Sequence, residues 1–459
     1  MKTRTLVLLV AFLAVSGFVG YTAWEQRWFQ TWFARDSVNA AEVARLEGTQ
    51  IQNDAPPDAA TGSPQWRGAL RKGVAAAGSF RTDWEKNPPK ELWRAPVGGG
   101  YGSCSVADGK LFVQDKPAEG KERVVCLDAG TGKQLWEYAY DSEPAGKDGN
   151  FATGPRATPA VAGNAVYTVG GAGVMLALEF DGGAVKLRWR HDLLGEFGAK
   201  MPQWGVACSP LVLGDKVVVT PGGAGAAVVA FDRNTGEVRW KAGSNPPGYS
   251  SPVAAAVGGQ ETVFAFMGDA LLAVRAADGK LTDEYRWETR FNGNIATPLV
   301  LDDKYVFISS SYGMGSALLR PERSGDDVKL VEVCAARERR PYQNHLSTSV
   351  YKDRYLFGVD GEKGAGGLKC VSIDNKLAAQ EWDGSEIGQA NLILAGDHLV
   401  VQTDRGDLCL VEANPKEFNL VARIPKVLSG KNNWSTPTMV DGRLYLRDEE
   451  KVVCLDVRP

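Results

Sequence analysis

The chain has 459 residues, 44% of them hydrophobic, with 53 Gly and 13 Trp, and this length is enough to enclose a large core. Lys and Arg (52) nearly balance Asp and Glu (55), so the formal net charge is −3 and no nucleic-acid partner is expected. Seven Cys and three His form no CxxC or HExxH motif, so we predict no zinc or dithiol site and no metal ligand.

The first predicted element is an apolar stretch that follows Lys2 and Arg4 and runs without a charge from Leu6 to Trp24. At about 1.5 Å per residue, a helix of this length would cross roughly 28 Å. We therefore predict that residues 1–34 form a single-pass transmembrane anchor in the cytoplasmic membrane. The short basic tail favours a periplasmic, or extracytoplasmic, position for the rest of the chain. A cleaved signal peptide, which would release the chain into the periplasm, is the alternative.

A flexible tether is predicted next, over residues 35–63, which are rich in Ala, Asn, Asp and Pro with little periodic hydrophobicity. Residues 64–459 are predicted to form the folded domain. Its first segment contains Trp66, which we expect to dock against the outside of the domain.

From Tyr101 onward one pattern repeats at steps of about 42 to 55 residues. Each copy has a Ser/Thr/Pro start, an alternating strand, a Gly/Asp/Asn turn and a second strand. With a later hairpin every copy has four strands, so we predict an all-β fold, an eight-bladed β-propeller of four-stranded blades. The absence of amphipathic helices between strands excludes a TIM barrel or Rossmann fold. The eight copies begin near Cys104, Pro159, Pro210, Pro252, Pro298, Thr348, Leu392 and Pro437.

A hairpin that ends in Trp marks the best-preserved copies, CLDAGTGKQLW from Cys126 to Trp136 and AFDRNTGEVRW from Ala230 to Trp240. The Asp carboxylate can accept hydrogen bonds from the turn, the Gly allows a positive φ, and the Trp presents a large apolar face to a neighbouring sheet. The fifth and seventh copies lack this Trp. The predicted structural docking residues are Asp128, Thr131, Gly132, Trp136, Trp189, Asp232, Thr235, Gly236, Trp240 and Trp93.

The last copy, VVCLDVRP from Val452 to Pro459, begins this hairpin but ends before its turn and Trp. The missing strand is predicted near the front of the chain, in KELWRAPV from Lys90 to Val97, which carries Trp93. Pairing of these two segments would close the ring and remove the open edges of a linear array.

The two Trp hairpins resemble the tryptophan-docking repeat A-x-D-x-x-T-G-x-x-x-W of the pyrroloquinoline-quinone (PQQ) dehydrogenases, with Cys126 in place of the Ala in the first. The eight-unit ring is also similar to the family of the outer-membrane protein assembly factor BamB, which carries the same repeat without catalysis. The resemblance covers about residues 64–459 and implies a PQQ-like propeller. It indicates the fold and not the function, because enzymes and scaffolds share the repeat.

For an enzyme, the resemblance implies a vicinal Cys-Cys disulfide in many members, a calcium ion held by Glu, Asn and Asp, and an Asp base. This chain has no adjacent Cys residues, and its loops before the predicted innermost strands contain almost no carboxylates, which calcium prefers. We therefore predict no catalytic residue and no cofactor. A PQQ-dependent quinoprotein oxidoreductase that uses PQQ with calcium remains the alternative.

The same loops are rich in aromatic residues, amides, Gly and Pro. Because they occupy equivalent points of successive blades, we expect them to converge at one mouth of the ring, with the composition of a recognition surface. The alternative is that these residues serve turn geometry and that Trp204 and Trp434 plug the channel. The candidate binding residues at the mouth are Tyr101, Arg156, Trp204, Tyr249, Asn292, Asn344, His345 and Trp434.

Taken with the resemblance, these patterns predict a non-catalytic, membrane-anchored, monomeric propeller that acts as a BamB-like protein-binding or assembly platform in the periplasm. A carbohydrate- or small-ligand-binding propeller is a further alternative, because Trp and Asn are expected at the mouth. No motif names the protein partner.

Overall fold

The structure, a computed structural model, describes residues 51–52, 62–75, 80–146, 154–337, 342–362, 366–377, 379–429 and 432–459. The predicted anchor, residues 1–34, and most of the predicted tether lie outside these residues. In the ranges that the structure describes, no helix has both the length and the apolar character needed to cross a membrane.

Eight antiparallel sheets form the described part of the domain. Three strands come before the first repeat, namely β1 (Ile51–Gln52), β2 (Gly62–Ser63) and β3 (Lys90–Pro96). Blade 1 contains β4 (Ser105–Ala107), β5 (Lys110–Ala118), β6 (Lys121–Asp128) and β7 (Gln134–Asp141). Blade 2 contains β8 (Ala160–Ala162), β9 (Ala165–Val169), β10 (Val174–Asp181) and β11 (Ala184–Asp192). Blade 3 contains β12 (Leu211–Leu213), β13 (Lys216–Val219), β14 (Val228–Asp232) and β15 (Val238–Ala242). Blade 4 contains β16 (Val253–Val257), β17 (Gln260–Phe266), β18 (Ala270–Arg275) and β19 (Leu281–Arg286).

The second half of the ring repeats this order. Blade 5 contains β20 (Leu299–Leu301), β21 (Tyr305–Ser310), β22 (Gly315–Ser324) and β23 (Asp327–Ala335). Blade 6 contains β24 (Val350–Lys352), β25 (Tyr355–Asp360), β26 (Gly367–Ser372) and β27 (Gln380–Gly384). Blade 7 contains β28 (Ala390–Ala395), β29 (His398–Thr403), β30 (Leu408–Glu412) and β31 (Leu420–Ile424). Blade 8 contains β32 (Thr438–Val440), β33 (Arg443–Arg447), β34 (Lys451–Asp456) and the early strand β3. A short helix, α1 (Leu193–Phe197), and two 3₁₀ turns, Arg290–Asn292 and Ser385–Ile387, lie between blades.

The ring closes as the sequence predicts. Strand β3 pairs antiparallel with β34, and Trp93 lies opposite Cys454. The order of the eighth sheet is therefore β3-β34-β33-β32. Both the count of eight blades and the donation of the last strand by the segment around Trp93 are confirmed.

The core lies between the blades. In blade 3, every residue of β14 is buried, whereas the outermost strand β15 buries only Trp240 and Ala242. This difference follows from position, because an inner strand is covered on both faces and an outer strand faces solvent. Eight clusters of buried apolar side chains fill the eight gaps between neighbouring blades.

A β-bulge marks the same place in the outermost strand of every blade. In blade 3, Trp240 pairs with Ala230 while Val238 pairs with Phe231, so Arg239 is the extra residue. A bulge of this kind bends the strand and changes the direction of the side chain that follows. The eight residues that follow the extra residue are Trp136, Trp189, Trp240, Asp283, Cys334, Trp382, Ala422 and Trp93.

Trp240 shows the contact that this position makes with the next blade. Its indole Nε1 donates a hydrogen bond to the carbonyl of Ala276 in blade 4, at 2.9 Å. Gly279 has φ +76°, and a Cβ built on it would lie 2.7 Å from the Trp240 ring. A side chain at Gly279 would therefore be strained and would also collide with the indole. Trp189 and Trp93 stack in the same way on Gly236 and Gly132 of their neighbours.

The turns that carry these glycines are held by the predicted Asp residues. Asp232 Oδ1 accepts hydrogen bonds from the backbone N–H groups of Asn234 and Thr235, both at 2.8 Å. Asp128 Oδ1 likewise accepts from the N–H and the hydroxyl of Thr131, both at 2.8 Å. The contribution of these docking contacts to stability stays a prediction.

The segment from Gly62 to Ala75, called the axial segment below, runs through the middle of the ring. Strand β2 pairs with β4 of blade 1 and lies beside β32 of blade 8, and the Pro64 carbonyl accepts from Val161 N in blade 2. Arg71 bonds to blades 3 and 4, Trp66 to blade 5, Arg67 to blade 6, and Gly73 to blade 7. The axial segment thus contacts all eight blades and occupies the central channel.

This position corrects the expectation that Trp66 docks against the outside of the ring. Trp66 lies inside it, where its Nε1 donates to the Thr297 hydroxyl at 2.9 Å. Two pieces of the predicted tether are also paired, because β1 adds to β16 and β2 adds to β4. The innermost strand of a propeller leaves one edge open toward the axis, and these short strands cover it in blades 1 and 4.

Candidate functional site

A pocket of about 270 Å³ opens at the end of the ring where the chain enters each innermost strand. We call it the mouth pocket. Its walls come from the loops that the sequence predicts to converge, and its floor includes Trp66 of the axial segment. Blades 1 to 6 and blade 8 all contribute residues. The lining consists of Trp66, Tyr101, Arg156, Trp204, Ala207, Ser209, Tyr249, Ser251, Ile295, Thr297, Tyr312, His345, Leu346, Thr348 and Trp434.

A belt of Ser and Thr residues, some of which line the pocket, holds these loops together. At this position the backbone N–H of one blade donates to the hydroxyl of the next blade, at 2.8 to 3.0 Å. The belt explains why these repeats start with Ser or Thr, because a buried backbone N–H requires an acceptor. The bonds run from Thr436 to Ser103, from Ser103 to Thr158, from Thr158 to Ser209, from Ser209 to Ser251, and from Thr297 to Thr348.

Aromatic rings form a continuous arc on one side of the mouth pocket. Trp204 packs against Tyr249 at 5.3 Å and against Phe291 at 5.8 Å, measured between ring centroids. The arc continues from Phe291 to Tyr312 at 5.9 Å and from Tyr312 to His345 at 5.2 Å. Such edge-on contacts give a rigid surface with polar tips, which suits recognition of another molecule.

A second aromatic pair, Tyr101 and Trp434, joins blades 1 and 8 with ring centroids 4.8 Å apart. The guanidinium of Arg156 lies 5.7 Å from the Tyr101 ring and donates to the Gly154 carbonyl at 2.9 Å. Burial lowers the pKa of Arg156, although Tyr101, Tyr249 and Glu122 act in the opposite direction. Burial also raises the pKa of Tyr249 to about 12, so at neutral pH this end of the pocket carries a cation beside the neutral phenol of Tyr249.

Two residues of the arc have an unusual backbone conformation. Phe291 has φ +62° and Tyr312 has φ +56°, a left-handed region in which non-glycine residues are uncommon. Each such residue costs on the order of 1 kcal/mol or more and persists where the surrounding structure requires it. Phe291 is also 43% exposed, so the ring at the rim of the pocket is held in place and accessible.

Two arginines of the axial segment lie beneath the pocket. Arg71 donates to the carbonyls of Pro252 at 2.9 Å, of Ser209 at 3.2 Å and of Pro210. Arg67 donates to the carbonyls of Thr348, at 2.9 Å, and of Ser349. Burial lowers the pKa of both guanidinium groups to about 9, so both remain charged at neutral pH.

The structure brings together most of the residues predicted at the mouth. Asn344 does not line the pocket, because it is 2% exposed and its side chain bonds to Val359 and Ser349 within the fold. Asn292 lies in the 3₁₀ turn next to Phe291 and is also outside the lining. Binding by any of these residues stays a prediction. The predicted residues that do line it are Tyr101, Arg156, Trp204, Tyr249, His345 and Trp434.

Three aromatic residues of the site were not predicted from the sequence. Tyr312 comes from the loop between the second and third strands of blade 5, which opens at the same end of the ring as the loops before the innermost strands. Phe291 is next to the predicted Asn292, and its position could have been inferred from that neighbour. Trp66 belongs to no repeat, so no periodic signal indicates that it enters the channel.

The donor set of the mouth pocket does not fit a calcium ion. No Asp or Glu occurs among the described residues of the lining, whereas calcium is held by several carboxylate or carbonyl oxygens. Across the described ranges of the chain, no group of three or more His, Cys, Asp or Glu side chains could hold a metal ion.

His345 and Cys104 are the groups near the mouth with the side chains of a base and of a nucleophile. His345 Nε2 is 3.0 Å from the Tyr312 hydroxyl, so its described partner is another residue of the arc. Cys104 lies near the mouth, but burial raises the pKa of its thiol to about 12, which keeps the thiol protonated and unreactive at neutral pH. All seven Cys residues are free thiols.

The fold and the mouth pocket define the class of the protein, an eight-bladed propeller of the PQQ-like repeat type. The chain belongs to the family described as outer membrane protein assembly factor BamB, whose match covers residues 55–186 and 146–381. No curated protein matches the chain.

Solved structures support the same fold. Quinohemoprotein alcohol dehydrogenase from Comamonas testosteroni matches 86% of this chain and 80% of its own, with a TM-score of 0.57 and 14% identity. A europium-containing methanol dehydrogenase matches 82% of this chain and 87% of its own, with a TM-score of 0.55 and 12% identity. BamB from Moraxella catarrhalis matches 80% of this chain and 99% of its own, with a TM-score of 0.52 and 14% identity. At such low identity these likenesses indicate the fold alone.

Proposed function

We propose that the chain is a non-catalytic propeller that binds protein segments at the mouth pocket and so acts as an assembly platform. The observation that carries this proposal is the lining, which takes aromatic side chains from several blades and has no carboxylate among its described residues. Clustered Trp and Tyr residues with an Arg are typical of the anchoring part of protein interfaces. Membership of a family described by an assembly factor supports the same role.

The outer edges of the blades are less suited to this role. Strand β15 exposes Val238, Arg239 and Lys241, and β19 exposes Leu281, Glu284 and Arg286. Charges on an edge strand oppose the addition of a further strand. The mouth pocket offers a concave apolar surface instead, so we place partner binding there.

A photo-crosslinking experiment tests the proposal. Benzoylphenylalanine is placed at position 291, on the rim of the pocket, or at position 238, on the outer strand β15. The two positions form a matched pair, because Phe291 is 43% exposed and Val238 is 44% exposed. We expect crosslinks to other proteins from position 291 that are lost when Trp204→Ala is added, and few from position 238. Equal crosslinking from both positions would contradict the proposal.

A second candidate is a PQQ-dependent oxidoreductase, because propellers of this fold occur in the two dehydrogenases described above. Titration of the purified protein with PQQ and calcium distinguishes the two functions. Stoichiometric binding with dye-linked oxidation of an alcohol or sugar would favour the enzyme. We expect neither, since the lining has no carboxylate donors in the described residues.

We also propose that the stretch from Leu6 to Trp24 anchors a monomeric propeller to the cytoplasmic membrane, with the domain in the periplasm. The support is the sequence, an uncharged run preceded by Lys2 and Arg4. Alkaline carbonate extraction of membranes tests the anchor. The intact chain should stay in the membrane pellet, and a soluble chain with a new N-terminus would show signal-peptide cleavage instead.

A further inference from the structure

We propose that the protein segment bound at the mouth pocket carries a carboxylate next to an aromatic side chain. This inference rests on the proposed function and adds the chemistry of the partner. Three features of the site point to it, namely an excess of buried positive charge, an aromatic lining and a small volume.

The positive charge comes from the axial segment and from the wall. Arg67 and Arg71 are 6% and 2% exposed. Within the described residues, neither forms an ion pair with a carboxylate, and their partners are backbone carbonyls and the Gln65 amide oxygen. Arg67 Nε is buried and has no hydrogen-bond partner among these residues. A buried cation without a counter-charge is costly.

These two arginines are close to the pocket because they bond to residues that line it. Arg67 donates to the Thr348 carbonyl and Arg71 to the Ser209 carbonyl, and both acceptor residues belong to the lining. Arg156 adds a third guanidinium in the wall. Glu122 offsets part of the charge of Arg156, and its carboxylate also accepts hydrogen bonds from Tyr140 and Gly171. A carboxylate that enters the pocket would therefore meet a positive potential in a low-dielectric site.

The rest of the lining determines what the carboxylate is attached to. Trp66, Trp204 and Trp434 together with the tyrosines provide ring faces and edges for an aromatic side chain. A neutral sugar could stack on the same rings but carries no charge to meet the guanidinium groups.

The volume favours part of a larger partner over a complete small molecule. At about 270 Å³, the pocket is slightly smaller than the range of about 300–1,000 Å³ that is usual for small-molecule sites. It has room for a pair of adjacent side chains from a longer segment. An acidic residue beside an aromatic residue in an extended peptide would meet both the guanidinium groups and the arc.

A matched pair of blocked peptides tests the inference. Acetyl-Gly-Asp-Phe-Gly-amide and the same peptide with Asn in place of Asp differ in charge but hardly in shape. Binding to the full-length protein is measured by calorimetry and by the change in Trp fluorescence. We expect the acidic peptide to bind about tenfold more tightly than the neutral one, which corresponds to about 1.4 kcal/mol.

Variants of the protein show which residues cause the preference for the acidic peptide. Arg156→Gln should reduce the preference to about threefold or less, and Arg156→Lys should retain part of it. Trp204→Ala should weaken the binding of both peptides by a similar factor, since it removes apolar contact and not charge. Arg323→Gln, on the outer part of blade 5, is the control and should change neither affinity. Unchanged thermal unfolding of each variant shows that the ring remains folded.

The other outcomes separate this inference from the proposed function. Equal affinity for both peptides would show that the site does not recognise the carboxylate. The proposed protein-binding function would be unaffected. If 3-phenylpropionate bound as tightly as the acidic peptide, the ligand of the pocket would be a small aromatic acid and not a protein segment. Competition by inorganic phosphate at the same concentrations would also overturn the inference, because it would show a general anion site. Absence of binding by either peptide would count against the inference. The crosslinking experiment then tests independently whether the mouth pocket binds proteins.

Discussion

The gap between blades 3 and 4 and the gap between blades 7 and 8 are filled by a tryptophan from different parts of the chain. In the first gap Trp240 follows the bulge of β15 and reaches into blade 4. In the second gap the equivalent residue of β31 is Ala422, and the space is occupied by Trp84, which precedes the ring and is 1% exposed.

The polar contacts of the two gaps correspond as well. The carbonyl of Ala276 accepts from Trp240 Nε1 at 2.9 Å. The carbonyl at the equivalent place in blade 8 belongs to Val457, and it accepts from the backbone N–H of Arg81 at 2.8 Å. Trp84 in turn donates its Nε1 to the Arg81 carbonyl at 2.7 Å. The segment before β3 therefore supplies both the indole ring and the hydrogen-bond donor that blade 7 lacks.

The comparison teaches that a repeat can lose its key residue when a nearby segment supplies the same volume and the same hydrogen bond. A void between two sheets would be costly, because packed interiors contain few cavities. Blade 7 avoids that void by means of the residues around Trp84. The segment before the repeats therefore completes the propeller at two places. Trp84 fills the gap between blades 7 and 8, and β3 supplies the last strand of blade 8.

The strongest test of this comparison is removal of each tryptophan. We expect Trp240→Ala and Trp84→Ala each to lower the free energy of unfolding by about 3–5 kcal/mol, because each leaves a large cavity between blades. Chemical denaturation of the two variants checks this, with Leu281→Ala on the exposed face of β19 as control. A loss below about 1 kcal/mol for Trp84→Ala would show that Trp84 is not equivalent to Trp240.

The stacking of Trp240 on Gly279 is tested by two glycine substitutions. Gly279 and Gly259 have nearly the same φ, +76° and +79°, but a Cβ at Gly259 would meet only the end of Arg323 at 4.0 Å. We expect Gly259→Ala to cost about 1 kcal/mol from backbone strain alone and Gly279→Ala to cost about 3 kcal/mol through the added collision. Equal losses in thermal unfolding experiments would mean that the indole moves aside freely.

The indole hydrogen bond is measured by replacing Trp with Phe. Trp136 packs against Phe180 with ring centroids 5.8 Å apart, but its Nε1 has no hydrogen-bond partner among the described residues. Trp240→Phe should therefore be more destabilising than Trp136→Phe by about 1 kcal/mol, because it leaves the Ala276 carbonyl without its donor. A larger loss of stability for Trp136→Phe would show that the indole hydrogen bond does not account for the difference.

The last expected effect depends on pH and concerns the turn that Asp232 holds. Hydrogen bonds from Thr235 and Asn234 and the contact with Arg239 lower the pKa of Asp232 to about 2. A lowered carboxyl pKa contributes stability above the pKa of the unfolded chain, about 3.9, and this contribution is lost as the pH falls toward 2. We expect the wild type to lose about 1–2 kcal/mol more than Asp232→Asn over this range. Parallel pH profiles of the two proteins would contradict this.

The repeat architecture could be predicted because its signals are local. Alternating apolar residues, Gly-bearing turns and the truncated last hairpin indicate eight blades and a strand supplied by the segment around Trp93, and the sheets agree. Most of the mouth residues could be predicted for the same reason, since equivalent loops of a ring lie at the same end. The roles of Trp84, Trp66 and Tyr312 could not, because their positions depend on contacts across the ring.

By itself, the sequence determined the number of blades, the closing strand and the aromatic character of one end, since each follows from a short pattern of residues. Only the tertiary structure decided that the axial segment fills the channel and that Arg67 and Arg71 lie beneath the pocket. Arg71 and its acceptor Pro252 are 181 residues apart in the sequence. Contacts of that kind depend on how a closed ring brings distant loops to one axis, and this geometry leaves no period in the sequence.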